Sequence, residues 1–331
     1  MKNGLYRFTY HLQQVEILLN KVKKQKNPAL WLFNNNARTP FFMLEGLAKL
    51  YADLQNNKKF TKLKEHFKII EDGLGQIDYY DFLVKAFATN KQVSMACKQY
   101  VKKQFVNKVH LLNEALTENE WLNTDNKRIT KINKKLKDAR WLKSKQEVDA
   151  IAAFYGESIY SINEFVTKTK YHFDNVEEDV HELRRKLRWL SIYPQALRGF
   201  IQYAKDKKTE LHLKKYLTKQ IVNSPYNKLP IAGENTIFLL LNKNYFLSLS
   251  WIIYTLGTLK DEGLLIEGLK EAIQQTTTCN DEEAFKTTYI ILGKKQRKMK
   301  VILDEAEVIT KTFFSEHNLE HLLAGVKLIP K

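Results

Sequence analysis

Apolar residues recur every three or four positions along most of this chain, and that interval is typical of amphipathic helices. In the first part of the sequence the pattern predicts helices over residues 6–26, 40–55, 59–72 and 79–116. Further along it predicts helices over residues 129–142, 148–170, 180–203, 211–222, 236–256, 264–275, 283–292 and 299–323. The predicted stops include Asn27-Pro28 after the first helix and Gly73 and Gly75 after the third.

Two segments admit more than one interpretation. Residues 236–256 are unusually apolar, and we expect a buried helix or helix pair there because the neighbouring segments are helical. Residues 223–235 contain two Pro and one Gly and form the clearest loop in the sequence. A surface connection of this length is suited to carrying function.

A faint internal repeat indicates two related halves. Leu74-Gly75 and Leu256-Gly257 each lie between amphipathic segments, which predicts a glycine-closed turn between antiparallel helices. A helix that carries an arginine precedes each of them, with Arg38 in the first half and Arg184 in the second. We therefore expect an all-α protein without a sheet, built from long helices in two bundles, residues 1–150 and 151–331.

Composition supports the helical assignment, because only 12 Gly and 6 Pro occur in 331 residues. Lys and Arg number 54 against 37 Asp and Glu, which gives a formal net charge of +17. Polyanions are the natural partners of such a charge. The charge alone does not distinguish nucleic acid, an anionic membrane surface and polyphosphate.

Location and redox state follow from what the sequence lacks. No apolar run reaches the ~20 residues of a membrane-spanning helix, and the first residues lack the apolar block of a signal peptide. We therefore expect a soluble, cytoplasmic protein. Cys97 and Cys279 are too few and too far apart for a metal cluster, and are expected to be reduced core residues.

The segment 180–193 places a cationic stripe beside an apolar one. The apolar face of this predicted helix carries Val180, Leu183, Leu187 and Leu190. The neighbouring face carries His181, Arg184 and Arg188, and Arg185 lies just beyond it. Donors at this spacing are suited to one elongated anion, such as a phosphate chain. The alternative is a solvated helix flank, whose side-chain stems cover core surface while the charges stay in water.

These residues resemble a family motif. His181-x-Leu183-Arg184-x-x-x-Arg188-x-Leu190, followed by Leu256-Gly257-x-Leu259-x-Asp261, resembles the second half of the CHAD family, named for its conserved histidines in an α-helical domain. In the first half, Ala37-Arg38-Thr39 followed by Leu74-Gly75 resembles the corresponding motif. The resemblance implies two four-helix bundles related by pseudo-twofold symmetry, with basic residues between them that bind inorganic polyphosphate.

The resemblance also implies roles for individual residues. His181, Arg184 and Arg188 would face the phosphates in the second half, and Arg38 would be the equivalent of Arg184 in the first. Asn35 stands where the first motif begins with His, and the other departures from the family's basic positions are Phe42, Met43 and Ser191. These departures predict a site with fewer basic residues than the family's.

Lysines on other predicted helices are candidates to compensate for the missing basic residues. Lys102 belongs to one such cluster, with Lys98 and Lys103, and Lys215 belongs to another, with His212 and Lys219. A solvated face is the simpler interpretation of each cluster.

No pattern in the sequence predicts catalysis. The segment His317-Asn318-Leu319-Glu320-His321 has the inverted zinc-peptidase spacing H-x-x-E-H, but only ten residues follow to supply a third ligand. A helix end is the better interpretation. Glu305-Ala306-Glu307 lies in a helical pattern, whereas the acidic residues of triphosphate-processing enzymes alternate along strands. We expect neither catalysis nor a bound metal or cofactor.

The main hypothesis is therefore non-catalytic binding of polyphosphate in a basic groove between the bundles. Such binding should weaken steeply with salt, because each phosphate contact releases condensed counterions. Nucleic-acid binding through the same surface is one alternative, although most aromatic residues fall on apolar helical faces. A helical adaptor for a protein partner, with residues 223–235 as its contact, is another.

Overall fold

The computed structural model describes residues 3–55, 58–123, 125–205, 209–233 and 235–328. Most of them are helical, which confirms the all-α fold class. The helices of the first half are α1 Asn3–Val22, α2 Pro28–Asn34, α3 Arg38–Gln55, α4 Lys58–Thr89, α5 Met95–Glu118 and α6 Lys127–Lys137. Those of the second half are α7 Ser144–Lys168, α8 Glu182–Ala196, α9 Lys219–Val222, α10 Lys243–Thr276, α11 Asp281–Leu292 and α12 Met299–Ser315. None of the described helices is long and apolar enough to cross a membrane.

One hydrophobic core extends through both halves. It includes Phe41 and Leu47 of α3, Leu187 of α8 and Ile252 of α10, all completely buried. Helix α3 packs on α4 and α8, and α8 packs on α10, so these four helices lie side by side. The predicted boundary near residue 150 falls inside α7. The pairing of two bundles about a pseudo-twofold axis stays a prediction.

Helix α4 runs without interruption through Gly73 and Gly75, where the sequence predicted a helix end. Both glycines instead allow a neighbouring side chain to approach the helix. A Cβ atom at Gly73 would lie 2.8 Å from Leu112, and one at Gly75 would lie 2.7 Å from the Arg38 guanidinium. These positions are therefore occupied by glycine because of close packing and not because of a turn.

The second half requires the same correction, because Gly257 lies inside the 34-residue helix α10. The predicted helix over residues 264–275 and most of that over 236–256 form this one helix, which begins at Lys243. The prediction of a turn at Leu256-Gly257 is therefore wrong. As at Gly75, the glycine makes room for an arginine side chain. A Cβ atom at Gly257 would lie 2.8 Å from Nε of Arg184.

The predicted helix over residues 79–116 is divided in two. Helix α4 ends at Thr89, and Ser94 caps α5 by accepting a hydrogen bond from the backbone N–H of Cys97 at 3.2 Å. In the turn between them, Asn90 Oδ1 accepts a hydrogen bond from the backbone N–H of Gln92 at 2.9 Å. Asn90 and Ser94 are typical turn and N-cap residues. The prediction missed them because the apolar residues on either side keep a helical spacing.

A small sheet contradicts the expectation of a protein without strands. Its strands are β1 Ile201–Tyr203, β2 Ile237–Leu241 and β3 Leu323–Leu328. Strand β2 lies in the centre, parallel to β1 and antiparallel to β3. Residues 237–241 were therefore wrongly predicted as helical, since a run of five apolar residues is too short to distinguish a strand from a buried helix.

The segment that follows α8 also differs from the prediction, because the helix does not continue to residue 203. Arg198 and Gly199 adopt positive φ angles of 51° and 82°, and the chain then enters β1. A Cβ atom at Gly199 would lie 2.0 Å from the carbonyl oxygen of Ile231. The predicted helix over 211–222 is a 3₁₀ turn, Leu211–Tyr216, followed by α9, and the predicted loop contains a 3₁₀ turn at Pro225–Asn227.

Candidate functional site

The cationic stripe predicted from sequence lies on α8, directly after a π-helical turn at Val176–His181. Asn175 caps this turn, its Oδ1 accepting hydrogen bonds from the backbone N–H groups of Glu177 and Glu178. The leucines of the apolar stripe are completely buried, as predicted. Arg184 and Arg188 are therefore placed one turn apart on the adjoining face.

Arg184 lies against the backbone of α10. Its Nε donates a hydrogen bond to the carbonyl oxygen of Ile253 at 3.1 Å, and its guanidinium occupies the space beside Gly257. Burial lowers the pKa of Arg184, the negative charge of Asp261 raises it and the positive charge of Arg38 lowers it. Only glycine at position 257 leaves room for this contact.

Arg188 contacts an aromatic residue of the other half. Its Cζ lies 4.4 Å from the centre of the Phe42 ring, and the Phe42 ring stacks on Trp189 with 4.6 Å between ring centres. Burial first, and then the positive charges of Arg184 and Arg38, lower the pKa of Arg188 to about 10, against a smaller raising influence of Glu71. Arg38, Arg184 and Arg188 are thus close enough to repel one another, and we call them the arginine cluster.

Arg38 repeats the arrangement of Arg184 in the first half, but its charge is compensated. It lies against Gly75 of α4 as Arg184 lies against Gly257 of α10. Its Nε donates to Oε1 of the buried Glu71 at 2.7 Å, and its Nη1 donates to Oδ2 of Asp78 at 3.2 Å.

Arg184 and Arg188 differ from Arg38 in this respect. Across the described residues, no carboxylate lies within ion-pairing distance of either side chain, although both are partly buried. Asp261 raises the pKa of Arg184 and Glu71 raises the pKa of Arg188, but both carboxylates act from beyond ion-pairing distance. Two neighbouring, partly buried cations without a directly bound carboxylate are less favourable than paired ones, and a bound anion would stabilise them. An oxyanion is the chemical group that these two guanidinium groups could bind through charge-assisted hydrogen bonds.

No family model, curated protein or solved structure matches this chain. The resemblance to the CHAD family therefore rests on the sequence motifs around Arg38 and Arg184 alone.

Two other predicted residues near the cluster pair with carboxylates of their own segment. His181 Nδ1 lies 2.8 Å from Oε1 of Glu177, one turn earlier in the π-helical segment. Arg185 is exposed, and its Nη2 lies 2.6 Å from Oε2 of Glu182. The Arg185 charge is thus partly compensated at the surface, where such pairs contribute little to stability, and the His181 ring is held by a carboxylate of its own segment.

The two predicted lysines lie on other elements. Lys102 is exposed on α5, and no contact among the described residues connects it with the arginine cluster. Lys215 lies in the 3₁₀ turn Leu211–Tyr216 and forms an ion pair with Glu316. Among the described residues, no contact connects either lysine with the arginine cluster.

Sequence analysis missed the groups that distinguish the two halves of the site. It identified Phe42 only as a lost basic residue, whereas the ring packs on Arg188 and Trp189. It also overlooked Glu71 and Asp78 as partners of Arg38. An acidic residue four positions before Gly75 and another three after it were visible, but nothing in the sequence related them to a helix 33 residues earlier.

The zinc-peptidase spacing does not form a metal site in the described part of the chain, where no group of three or more potential ligands converges. His317 follows the end of α12 in a turn and has a positive φ of 52°. Its Nδ1 lies 3.4 Å from Oε1 of Glu320.

Proposed function

We propose that this chain is a CHAD-like protein that binds a phosphate polymer through the arginine cluster, with inorganic polyphosphate as the simplest ligand. The observation that carries the proposal is the pair Arg184 and Arg188, which are adjacent, partly buried and without a carboxylate partner among the described residues. A guanidinium donates two parallel hydrogen bonds to phosphate, so two of them in line match successive phosphate groups.

The compensation of Arg38 supports an asymmetric site. Because Glu71 and Asp78 already bind Arg38, a phosphate chain must compete with them in the first half. The second half presents its two guanidinium groups without that competition. We therefore expect the chain to hold the polymer mainly through α8, with Arg38 contributing the long-range attraction of its charge.

The proposal is tested by the double variant Arg184→Gln, Arg188→Gln. A hydrogen bond to a charged group contributes about 1.5 to 3 kcal/mol, so the loss of both should weaken polyphosphate binding about 100-fold or more. The salt dependence should also become shallower by roughly 1.4 to 1.8 units of log-log slope, because two fewer phosphates release counterions. Isothermal titration calorimetry at several salt concentrations measures both quantities.

A matched control separates this site from general attraction to a basic protein. The variant Lys134→Gln, Lys137→Gln removes the same charge from exposed positions of α6 and should leave affinity within about twofold of wild type. Equal losses in the two double variants would contradict the site and indicate diffuse electrostatic binding. Single-stranded RNA that displaces polyphosphate at equal phosphate concentration would instead favour the nucleic-acid alternative.

A further inference from the structure

The 3₁₀ turn Pro225–Asn227 lies beside α8 and is held in place from two helices. Gln195 of α8 donates hydrogen bonds from Nε2 to the carbonyl oxygens of Tyr226 at 3.1 Å and of Lys228 at 2.9 Å. Ser250 of α10 donates to Oδ1 of Asn227 at 2.6 Å. The backbone of Tyr226 is therefore fixed on both sides of the residue.

The ring of Tyr226, in contrast, is 78% exposed. An aromatic ring whose backbone is already ordered loses little conformational entropy when a ligand stacks on it. Stacking of a nucleobase on an aromatic side chain depends little on which base is present, because every base has a π face. Tyr226 is therefore preorganised as a stacking platform.

Tyr226 is on the same side of α8 as the phosphate-binding arginines. Gln195 follows Arg188 by seven residues, which places the two side chains on one face of the helix about 10 Å apart along its axis. Burial is the main influence on the pKa of Arg188, and the Tyr226 phenol is close enough to add a smaller, raising influence. The Tyr226 turn and the Arg188 side chain thus lie on one face of α8.

Helix α10 packs against α8 and contributes to the same surface. Ser250, Tyr254, Gly257 and Asp261 recur at intervals of four, three and four residues and share one face. Ser250 donates a hydrogen bond to the Tyr226 turn and Gly257 adjoins the Arg184 guanidinium, so this face of α10 contacts both features. Tyr254 is 48% exposed and lies one helical turn before Gly257, so the same helix face also carries an accessible aromatic residue.

We propose that the surface formed by α8, α10 and the Tyr226 turn binds a nucleoside polyphosphate, with its phosphates on Arg184 and Arg188 and its base stacked on Tyr226. This inference rests on the proposed function, since it assumes that the arginine cluster binds phosphate. It adds a specificity that phosphate binding alone does not require.

The experiment compares ATP with inorganic tripolyphosphate on the full chain by isothermal titration calorimetry. Both ligands present three linked phosphates, and tripolyphosphate carries the greater negative charge, so electrostatics alone favours tripolyphosphate. We expect ATP to bind about tenfold more tightly because of base stacking. Tyr226→Ala should abolish this preference and leave tripolyphosphate affinity unchanged, whereas Tyr226→Phe should retain the preference because the stacking ring remains.

Tyr160→Ala removes another exposed tyrosine, on α7, and serves as the control that should behave as wild type. Equal binding of ATP and tripolyphosphate by wild type would overturn the inference and leave the proposed function intact. Loss of the preference in Tyr226→Phe would also overturn it, because the hydroxyl and not the ring would then make the contact. If neither ligand binds, the proposed function fails together with the inference.

Discussion

Two glycines, Gly75 and Gly257, position two arginines in equivalent ways. Each glycine lies in the middle of a long helix, where glycine is disfavoured by roughly 0.5–1 kcal/mol relative to alanine. Each lies against a guanidinium from a helix earlier in the chain: Arg38 of α3 at Gly75, and Arg184 of α8 at Gly257. At both positions a glycine that disfavours the helix makes room for an arginine side chain.

Gly257→Ala should separate stability from binding. The added Cβ would lie 2.8 Å from Nε of Arg184, so the guanidinium must move away from α10. We expect the free energy of unfolding to stay the same or to rise by up to about 1 kcal/mol, because alanine favours the helix. Polyphosphate affinity should fall about tenfold, because Arg184 loses its preorganised position. Chemical denaturation and calorimetry measure the two quantities.

Gly156→Ala in α7 is the control for this prediction, since a Cβ at Gly156 meets no atom within 4 Å. It should give the same gain in helix stability without any change in affinity. If Gly257→Ala binds polyphosphate as tightly as Gly156→Ala, then the position of Arg184 against α10 is not needed for binding.

Helix α3 carries a carboxyl group, Glu45, into its contact with α4. Glu45 is only 6% exposed. Burial, and then the negative charge of Glu71, raise the pKa of Glu45 from 4.5 to about 7, and Lys68, Asp72 and Lys49 exert smaller influences. The Glu71 carboxylate that repels Glu45 is the one that binds Arg38, so the α3–α4 contact connects the core with the arginine cluster.

The free energy of unfolding should therefore fall as pH rises from about 4.5 to about 7. The folded state holds the Glu45 proton more tightly than the unfolded state, so its stabilising contribution is complete below pH 4.5 and is lost through pH 7. The shift corresponds to at most about 3 kcal/mol. Glu45→Gln should remove this dependence and be more stable than wild type at pH 8 by about 2 kcal/mol, measured by urea denaturation at several pH values.

Glu65→Gln, an exposed position of α4, is the comparison for Glu45→Gln and should leave the pH dependence as in wild type. A Glu45→Gln variant with the pH profile of wild type would mean that Glu45 is ionised in the folded protein.

Helices from both halves meet at a buried polar network. Arg7 of α1 donates to the Tyr51 hydroxyl of α3 at 2.7 Å, and this hydroxyl donates to Oε1 of Glu147 of α7 at 2.6 Å. Arg7 Nη1 also lies 3.1 Å from Oε2 of Glu147, and both side chains are almost inaccessible to solvent. The network therefore joins the start of the chain to the helix that contains the predicted domain boundary.

Arg7→Met should destabilise the protein by about 3–5 kcal/mol, because it leaves the Glu147 carboxylate buried without its partner. The double variant Arg7→Met, Glu147→Met should recover much of this loss, since it removes both charges. Thermal unfolding followed by circular dichroism measures the difference. Additive losses in the double variant would show that the pair contributes by packing and not by charge compensation.

The helices and the cationic stripe could be predicted from sequence because both depend on neighbours three or four residues apart. The apolar stripe of α8 was predicted correctly for this reason, and so was the placement of Arg184 and Arg188 on the adjoining face. The helix ends were less accurate. Glycine is typical of turns, so Gly73 and Gly257 were predicted to end helices. In the structure both lie inside helices, and each makes room for a side chain of a neighbouring element.

Long-range contacts decided the rest. β2 became a strand because Leu239 pairs with Ile201 and Val326, which are distant along the chain. The site acquired its asymmetry in the same way, since Glu71 binds Arg38 across 33 positions of sequence while Arg188 packs over the ring of Phe42. A periodic pattern records which face of a helix is apolar. It does not record which distant carboxylate folding brings to an arginine, and that pairing determines which cations remain available to a ligand.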